Sequence, residues 1–309
     1  MHDLVIIGAG PAGLTAGLYA GRFRLHTLLL EKMSPGGQII LSPRIDNFPG
    51  FPGGGIDTQE LISKFTRQVE EVGVRVVPEE ALQVSGLKGL GYEIRTTDAT
   101  YQAKTVIIAT GARPRTLGVP GEDRFLGKGT SYCGTCDGPL FKNKDIVVVG
   151  GGDRAIEDAL FLATYASKVT VVHRRQELRA SMILQEKAAA DPKINFILDS
   201  VIEEIAGDKS IEQVRLRNVK TGQATALRCQ GVFIFVGIKP HTDFVKNILK
   251  TDEAGFIITN QHAVTSSPGI FACGDCCQKG LYQVVTACAE GATAADSAHK
   301  YLLNLKDAK

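Results

Sequence analysis

The sequence predicts an α/β protein with two Rossmann-like dinucleotide-binding domains, the second inserted into the first. Three observations favour this fold class. A buried-strand pattern runs into Gly8–Gly13 (GAGPAG), and a second such pattern runs into Gly150–Ala155 (GGGDRA). Two further apolar strands end in Gly and Pro, which mark places where the chain leaves one unit for another. The two glycine runs begin at positions 8 and 150, which is too far apart for a short repeat.

Length and composition agree with this organisation. At roughly 100–200 residues per domain, 309 residues suggest about two domains. A hydrophobic share of 44% and a charged share of 22% are ordinary for a globular chain and argue against disorder. The 35 basic and 33 acidic residues nearly balance, so we expect no nucleic-acid partner. No run of 18 apolar residues exists, and we expect no membrane partner.

The N-terminal segment and the cysteine content indicate a compartment. The first eight residues carry no basic region followed by a long apolar stretch, so they do not resemble a secretory signal. We therefore expect a cytoplasmic protein, in which the seven cysteines are not used for structural disulfides. Any close pair of cysteines is then read first as a redox or metal site.

The first glycine run has the sequence context of a dinucleotide-binding turn. It follows the strand Leu4–Ile7 and precedes a helix expected over about 14–22, and the next strand, Leu28–Leu30, ends at Glu31. In such a turn the first Gly bends the chain, the second lets backbone approach a pyrophosphate and the third packs helix on strand. The helix N-terminus attracts the phosphates, and Glu31 would accept hydrogen bonds from a ribose. The alternative is a glycine-rich turn without a ligand.

The second glycine run repeats the pattern with the opposite charge. A strand over 146–149 precedes it, a helix to about 165 and a strand over 169–172 follow, and Ala155 replaces the third Gly. Glu31 lies 23 residues after Gly8, and the same spacing from Gly150 reaches His173, followed by Arg174 and Arg175. A carboxylate repels a 2′-phosphate whereas Arg binds one bidentately, so the first site suits a free 2′-hydroxyl and the second suits NADPH. The cluster extends to Arg179, and the alternative is a solvated basic helix start.

Two apolar strands mark the predicted crossings between domains. One covers 105–109 and runs into Thr110–Pro114, and the other covers 231–236 and ends at Gly237–Pro240. We predict a first domain over 1–114 and 243–309, and a second over 115–242 that binds NADPH and carries the dithiol described next. Antiparallel strands are expected around 92–101 and 214–229.

A C-x-x-C motif lies between the two glycine runs. Cys133 and Cys136 enclose Gly134 and Thr135, and Asp137 follows. A redox pair needs one thiolate that attacks a disulfide and a neighbour that resolves the mixed disulfide. Asp137 would then move a proton, provided that partial burial raises its pKa; the alternative for Asp137 is a turn residue. The alternative for the pair is a zinc site completed by the cysteines of 273–277, although no His pair at ligand spacing supports it.

Together these motifs resemble the low-molecular-weight thioredoxin reductases over nearly the whole chain. The motifs are Gly8–Gly13, Gly36–Gln38, Asn47–Phe51, Ala109–Ala112, Cys133–Gly138, the second glycine run, His173–Arg175, Gly274-Asp275 and Gln283. The resemblance implies a homodimeric enzyme that contains FAD, uses NADPH and reduces thioredoxin. Cys136 would face the flavin, Cys133 would exchange with the substrate disulfide, and Asp137 would be the acid/base. The implied FAD-site residues are Gly8, Gly10, Pro11, Ala12, Gly13, Glu31, Gly37, Gln38, Asn47, Ala109, Thr110, Gly111, Gly274, Asp275 and Gln283. The implied NADPH-site residues are Gly150, Gly152, Asp153, Arg154, Ala155, His173, Arg174, Arg175 and Arg179.

Some positions depart from the family pattern. Gly134 replaces the usual Ala, which adds backbone freedom between the cysteines. Arg154 replaces a small Ser or Thr and is assigned to the pyrophosphate, with solvent as the alternative. Tyr282 stands where the family often has Arg. Cys276 and Cys277, like Cys273 and Cys288, occupy positions of small residues; we interpret them as buried hydrophobes, with an auxiliary thiol pair as the alternative.

Three functional alternatives stay open from the sequence. The enzyme could reduce another redoxin, or it could be a small-molecule dithiol oxidase of the same fold. A zinc-holding nucleotide sensor is the non-enzymatic alternative.

The resemblance also implies a rotation of the inserted segment on two short linkers, because nicotinamide and Cys136 must each approach the flavin and Cys133 must later meet a protein.

Overall fold

The computed structural model describes residues 1–41, 44–45, 47–53, 55–87 and 91–307. The strands are β1 His2–Ile7, β2 Thr27–Leu30, β3 Arg44–Ile45, β4 Ile56–Asp57, β5 Arg75–Val77, β6 Ala81–Gly86, β7 Tyr92–Thr96, β8 Thr100–Ile108, β9 Ala112–Pro114, β10 Thr130–Ser131, β11 Asp145–Val149, β12 Lys168–Val172, β13 Ile194–Ile197, β14 Ser200–Ala206, β15 Gln213–Asn218, β16 Ala224–Arg228, β17 Gly231–Ile234, β18 Ile238–Pro240 and β19 Ile270–Ala272. The helices are α1 Pro11–Arg22, α2 Thr58–Glu71, α3 Gly134–Asp137, α4 Asp153–Ala163, α5 Met182–Ala190 and α6 Val284–Asp307. Short 3₁₀ helices cover Gly37–Leu41, Gly138–Phe141, Asp243–Val245 and Gly274–Cys276.

The chain divides into two compact units. Unit 1 comprises the described residues of Met1–Ile40, Phe48–Arg113 and Lys239–Lys309, and unit 2 those of Leu41–Asn47 and Pro114–Ile238. The two crossing strands β9 and β18 pair with each other. Backbone hydrogen bonds flank this pair: Arg115 N–H donates to Gly237 O, and His241 N–H donates to Gly111 O, at 2.9 and 3.0 Å.

Unit 1 is built on a mixed sheet in the order β5-β2-β1-β8-β7-β6, with β19 paired to β8. β1, β2, β5, β8 and β19 run parallel, whereas β6 and β7 add antiparallel strands to β8. The antiparallel structure expected around 92–101 is thus confirmed. Alternate residues of β1 enter two different cores, because both faces of a parallel sheet are covered. Leu4 and Ile6 pack in one core and Val5 and Ile7 in the other, all at most 4% exposed.

Unit 2 repeats this design in smaller form. Its parallel sheet has the order β10-β17-β11-β12-β13, and its second sheet, β14-β15-β16, is antiparallel, as expected around 214–229. Ile146 and Val148 of β11 pack on the α4 side, and Val147 and Val149 pack toward the antiparallel strands. In the part of the chain that the structure describes, no helix is both long and apolar enough to span a bilayer.

Candidate active site

Strand register brings the first group of predicted residues to one edge of unit 1. Ile7 pairs with Leu30 on one side and with Ile108 on the other. The next residue of each strand is therefore Gly8, Glu31 or Ala109, and all three lie at the carboxyl edge of the sheet. In open α/β sheets ligands bind outside this edge.

Glu31 is held against the first glycine turn. Its Oε2 accepts a hydrogen bond of 2.8 Å from Ala9 N–H, and its Oε1 accepts one of 3.3 Å from Met33 N–H. The carboxylate lines a cavity of about 280 Å³ in unit 1, together with Gly8, Ala81, Thr110 and His241. The cavity lies beside the first residue of the glycine turn and beside the Glu31 carboxylate, which is an acceptor that fits the ribose in the adenosine part of FAD.

The glycines of this turn are needed for close packing. A Cβ on Gly13 would lie 2.9 Å from the Gly8 carbonyl carbon, and a Cβ on Gly8, whose φ is +106°, would lie 2.8 Å from the Ala109 carbonyl carbon. Gly274 has a φ of +75°, and its Cβ would lie 2.8 Å from Ala12 Cβ. Gly10 differs, because its Cβ would meet no atom closer than 3.9 Å. The open side of the turn is therefore at Gly10, where the pyrophosphate is expected.

The other predicted FAD-site residues occupy several segments. Gly37 lies against the turn, because its Cβ would come within 3.2 Å of Gly10 Cα, and Gln38 beside it is exposed. Thr110 Oγ1 donates a hydrogen bond of 2.6 Å to His241 O. The remaining predicted residues are placed as follows: Pro11 and Ala12 in the first turn of α1, Gly111 after β8, Asp275 in the 3₁₀ helix Gly274–Cys276, and Gln283 directly before α6. Asn47 is exposed and groups with unit 2, so its place beside a flavin stays a prediction.

A buried lysine organises the segment around Gly274. Lys279 Nζ lies 2.5 Å from Glu290 Oε2 and 3.7 Å from Asp275 Oδ1, and its side chain is only 9% exposed. The same Glu290 oxygen accepts a hydrogen bond of 2.8 Å from Gly274 N–H. Sequence reasoning missed both Lys279 and Glu290, because neither belongs to a glycine or cysteine motif.

In unit 2 the second glycine turn also lies at the carboxyl edge of a parallel sheet. Val149 pairs with Val172 and with Ile234, so Gly150 and His173 emerge side by side. Gly152 caps the N-terminus of α4, and a Cβ there would meet no atom within 4 Å. Asp153 Oδ1 accepts a hydrogen bond of 2.6 Å from Ser181 N–H, and Ala155 is buried under the turn. This open helix N-terminus fits a dinucleotide phosphate.

The positive charge near this turn comes from arginines and not from His173. Arg174, Arg175 and Arg179 are exposed, whereas His173 is 7% exposed. A Cβ on Gly151 would fall 2.8 Å from His173 Cγ, so the ring fills the space that this glycine leaves. Burial, followed by the neighbouring arginines, lowers the pKa of His173 despite an opposing backbone hydrogen bond. The exposed cations after β12 are therefore the arginines, because a ring packed on backbone gains no solvation for a charge, and the assignment of His173 to the NADPH site stays a prediction.

Arg154 lies beside an acid of its own helix. Its Nε is 3.7 Å from Asp158 Oδ2, and its guanidinium carbon is 5.8 Å from the centre of the Phe235 ring. The side chain is 46% exposed. The assignment of Arg154 to the pyrophosphate stays a prediction.

Cys133 and Cys136 form a disulfide at the start of the short helix α3. Cys133 precedes the helix, and its Sγ accepts a hydrogen bond of 3.2 Å from Cys136 N–H. Both cysteines are half-buried, so the bond is within reach of solvent. A hydrogen bond to Cys133 Sγ would favour a thiolate there after reduction.

Asp137 is connected to the disulfide through Ser131. Ser131 Oγ donates to Asp137 Oδ2 at 2.7 Å and accepts from Cys133 N–H at 3.1 Å. Ser131 is 3% exposed, whereas Asp137 is half-buried and lines a cavity of about 330 Å³ with Lys128 and Lys144. Sequence reasoning did not assign Ser131 a role, since one serine before a cysteine motif carries no distinctive signal.

The remaining cysteines form no disulfide. Cys273, Cys276 and Cys277 are buried, and the last two have their sulfurs 4.0 Å apart. Burial raises the pKa of the Cys273 and Cys288 thiols and that of Cys229 to about 12. Among the described residues, no group of three or more His, Cys, Asp or Glu side chains is arranged to hold a metal ion. Burial agrees with the interpretation of Cys273, Cys276 and Cys277 as small hydrophobes, whereas Cys288 is only half-buried.

The sequence and the fold are similar to those of known oxidoreductases. A family model described as pyridine nucleotide-disulphide oxidoreductase matches residues 2–291. The chain belongs to this family. A curated relative of this oxidoreductase, the thioredoxin reductase of Peptoclostridium acidaminophilum, is 44% identical over 308 residues, which are 98% of this chain and 97% of the relative. That of Listeria innocua is 43% identical over 100% of this chain and 96% of the relative.

Solved structures of similar oxidoreductases have the same fold as this chain. The thioredoxin reductase from Streptococcus pyogenes MGAS5005 is 47% identical, with a TM-score of 0.91 over 98% of this chain and 99% of that one. The FR conformation of Lactococcus lactis thioredoxin reductase is 45% identical, with a TM-score of 0.70 over 98% and 100% of the two chains. The predicted resemblance and the fold class of two Rossmann-like domains are confirmed. The protein is an oxidoreductase, and the predicted cofactors FAD and NADPH are those of thioredoxin reductases in this family.

Proposed function

We propose that this oxidoreductase is an NADPH-dependent thioredoxin-disulfide reductase. NADPH, a proton and oxidised thioredoxin would give NADP⁺ and thioredoxin dithiol, so two electrons are transferred. The observation that carries the proposal is the accessible Cys133–Cys136 disulfide in the unit that holds the second glycine turn. The names of the relatives support thioredoxin as the partner.

Each unit would hold one cofactor. In unit 1 the turn at Gly8–Gly13, the Glu31 carboxylate and the Gly274-Asp275 segment would bind FAD, as the cavity beside Glu31 supports. In unit 2 the turn at Gly150–Ala155 and the exposed arginines would bind NADPH, with Arg174 and Arg175 on the 2′-phosphate. FAD, when bound, supplies the chemistry that links two-electron hydride transfer to disulfide reduction.

The side chains of the dithiol segment would carry out the exchange. Once reduced, the Cys133 thiolate attacks one sulfur of the thioredoxin disulfide and forms a mixed disulfide. Cys136 Sγ then attacks Cys133 Sγ, which re-forms the internal disulfide and releases the thioredoxin thiolate. Asp137 would deliver the proton to that leaving sulfur, and Ser131 would orient the carboxylate.

The domain boundaries and the rotation are part of the same proposal. We assign residues 1–114 and 243–309 to the FAD domain and 115–242 to the NADPH domain, close to the division between units 1 and 2. β9 and β18 would be the hinge strands. An engineered crosslink that stops the rotation should leave one half-reaction intact and abolish the other, and normal turnover of the locked enzyme would contradict the rotation.

The test separates the electron-transfer steps. Stopped-flow spectroscopy should show rapid loss of flavin absorbance with NADPH and slow loss with NADH. Cys136→Ser should leave this reduction intact and block onward transfer, and Cys133→Ser should abolish thioredoxin reduction. Thioredoxin reduction by either variant, or a preference for NADH, would contradict the proposal.

The same assays distinguish the alternatives. A small-molecule dithiol oxidase would reduce oxygen with dithiol as donor and would show no preference for NADPH. A reductase of another redoxin would keep NADPH oxidation but respond to a different protein in the coupled assay. We also propose that the protein is cytoplasmic, which the cysteine usage supports. The resemblance implies a homodimer, and sedimentation velocity measures its mass.

A further inference from the structure

Gly134, the residue between the two cysteines that departs from the family pattern, packs against a carboxyl group. It is buried, begins α3 and is not one of the residues with a positive φ, so its backbone freedom is not used. A Cβ on Gly134 would lie 3.0 Å from Asp158 Cγ and 3.3 Å from Asp158 Cβ, and closer still to Asp158 Oδ1. The Asp158 carboxyl group therefore occupies the space that a side chain at 134 would need.

Asp158 is an unusual group for this place. It lies in the middle of α4, and its side chain is 13% exposed. Burial raises the pKa of Asp158 to about 6, and Arg154 opposes this shift through an ion pair at 3.7 Å. Glu157 beside it adds a second negative charge in solvent. A buried carboxyl group with one long ion pair lowers the free energy of unfolding, and Ala at position 158 would not carry this cost.

The Asp158 carboxyl group packs from α4 against the short turn that carries the reactive sulfur. Cys133 precedes Gly134, and Cys133 Sγ is bonded to Cys136 N–H across this turn. A negative charge close to a cysteine disfavours its thiolate. Because reduction creates a thiol that can ionise whereas the disulfide cannot, such a charge favours the disulfide and makes the couple a stronger reductant.

We propose that Asp158 is a positioning residue for the Cys133–Cys136 couple and that Gly134 and Asp158 form a matched pair. The carboxyl group holds the dithiol turn in place on α4 and shifts the thiol–disulfide equilibrium toward the disulfide. This inference rests on the proposed function, in which Cys133 and Cys136 are the exchanging couple. A couple that favours its own disulfide passes its electrons on more readily, which suits an enzyme that reduces the disulfide of another protein.

The first experiment measures the equilibrium in the FAD-loaded enzyme. Under nitrogen at pH 8, the enzyme is equilibrated with mixtures of reduced and oxidised dithiothreitol. In this exchange the Cys133–Cys136 disulfide and dithiothreitol dithiol give two enzyme thiols and cyclic dithiothreitol disulfide, so atoms and electrons balance. After acid quenching and alkylation, tryptic cleavage at Lys128 and Lys142 yields a peptide that contains these two cysteines and no other, and mass spectrometry quantifies its two forms.

Removal of the charge should shift this equilibrium. Asp158→Asn keeps the size of the side chain and is expected to move the midpoint ratio about three- to tenfold toward the dithiol, as a change of up to one unit in thiolate pKa would do. The matched control is Glu157→Gln, which removes the same charge from the exposed neighbour on the same helix and should leave the midpoint unchanged within twofold. An unchanged midpoint in Asp158→Asn overturns the proposal.

A double-mutant cycle tests the pair itself. Gly134→Ala should displace the carboxyl group and move the midpoint in the same direction as Asp158→Asn. In an Asp158→Ala background the added methyl group has room, so Gly134→Ala should then change the midpoint less than twofold. Equal effects of Gly134→Ala in both backgrounds overturn the matched pair. If Gly134→Ala does not fold, the midpoint of Asp158→Asn alone decides whether Asp158 shifts the thiol–disulfide equilibrium. If dithiothreitol cannot reduce this disulfide in the wild type, the proposed function fails, which is a different outcome from an unshifted variant.

Discussion

Ser131 Oγ donates a hydrogen bond of 2.7 Å to Asp137 Oδ2 and accepts one from Cys133 N–H, so one buried hydroxyl connects the proposed proton carrier with the reactive cysteine. Ser131→Ala removes this connection. We expect about a tenfold lower kcat for thioredoxin reduction, because the hydrogen bond to a charged group is worth roughly 1.5 kcal/mol. Flavin reduction by NADPH should not change. Steady-state and stopped-flow kinetics measure the two steps.

The control for this prediction uses Asp137. In an Asp137→Asn background the hydroxyl has no carboxylate to orient, so Ser131→Ala should then lower kcat less than twofold. The same tenfold loss in both backgrounds would contradict a role of Ser131 through Asp137.

Glu31 is predicted to determine FAD affinity. Glu31→Ala removes the acceptor of Ala9 N–H as well as the expected ribose contact, so FAD should bind about 10- to 100-fold more weakly. Fluorescence titration of the apoprotein with FAD measures the Kd. Glu31→Gln keeps an oxygen acceptor and should recover much of the affinity. An unchanged Kd in Glu31→Ala would place the adenosine elsewhere.

The arginines after β12 are predicted to discriminate NADPH from NADH. Arg174→Ala with Arg175→Ala should raise KM for NADPH about 10- to 100-fold and leave KM for NADH nearly constant, because only NADPH carries the 2′-phosphate. Arg228→Ala removes an exposed arginine of β16 in the same unit and serves as control. Equal increases in KM for both nucleotides would argue against a 2′-phosphate site here.

Because of Asp158, we expect the free energy of unfolding to decrease as the pH rises through the acidic range. The pKa of Asp158 is raised in the folded protein to about 6 from a usual 3.8, so the native state binds the proton more tightly than the unfolded chain. Stability should therefore fall as pH rises from about 4 to 6, and the full penalty, at most about 3 kcal/mol, remains above that range. Asp158→Asn should raise the urea midpoint at pH 8 and have little effect at pH 4. A variant advantage that does not depend on pH would exclude the charge as its cause.

The order of residues was enough to predict the features of this protein that are local along the chain. A strand, a glycine turn and a helix follow one another within about 20 residues, so their order alone predicts a nucleotide turn. The equal spacing from Gly8 to Glu31 and from Gly150 to His173 located both residues at strand ends, and the register confirms these positions. The C-x-x-C pair could also be predicted from the sequence, because two cysteines three residues apart can come within bonding distance in a single turn.

Contacts between groups that are distant along the chain depend on the three-dimensional packing. Gly134 and Asp158 face each other because α3 packs on α4, and the sequence offered backbone freedom as the reason for that glycine. His173 has the expected spacing, yet packing against Gly151 buries it and leaves the charge to the arginines. Ala81 and His241 join Glu31 in one cavity although they are far apart in the chain. Such contacts depend on side-chain volume and strand order in three dimensions, and no local pattern of residue types encodes them.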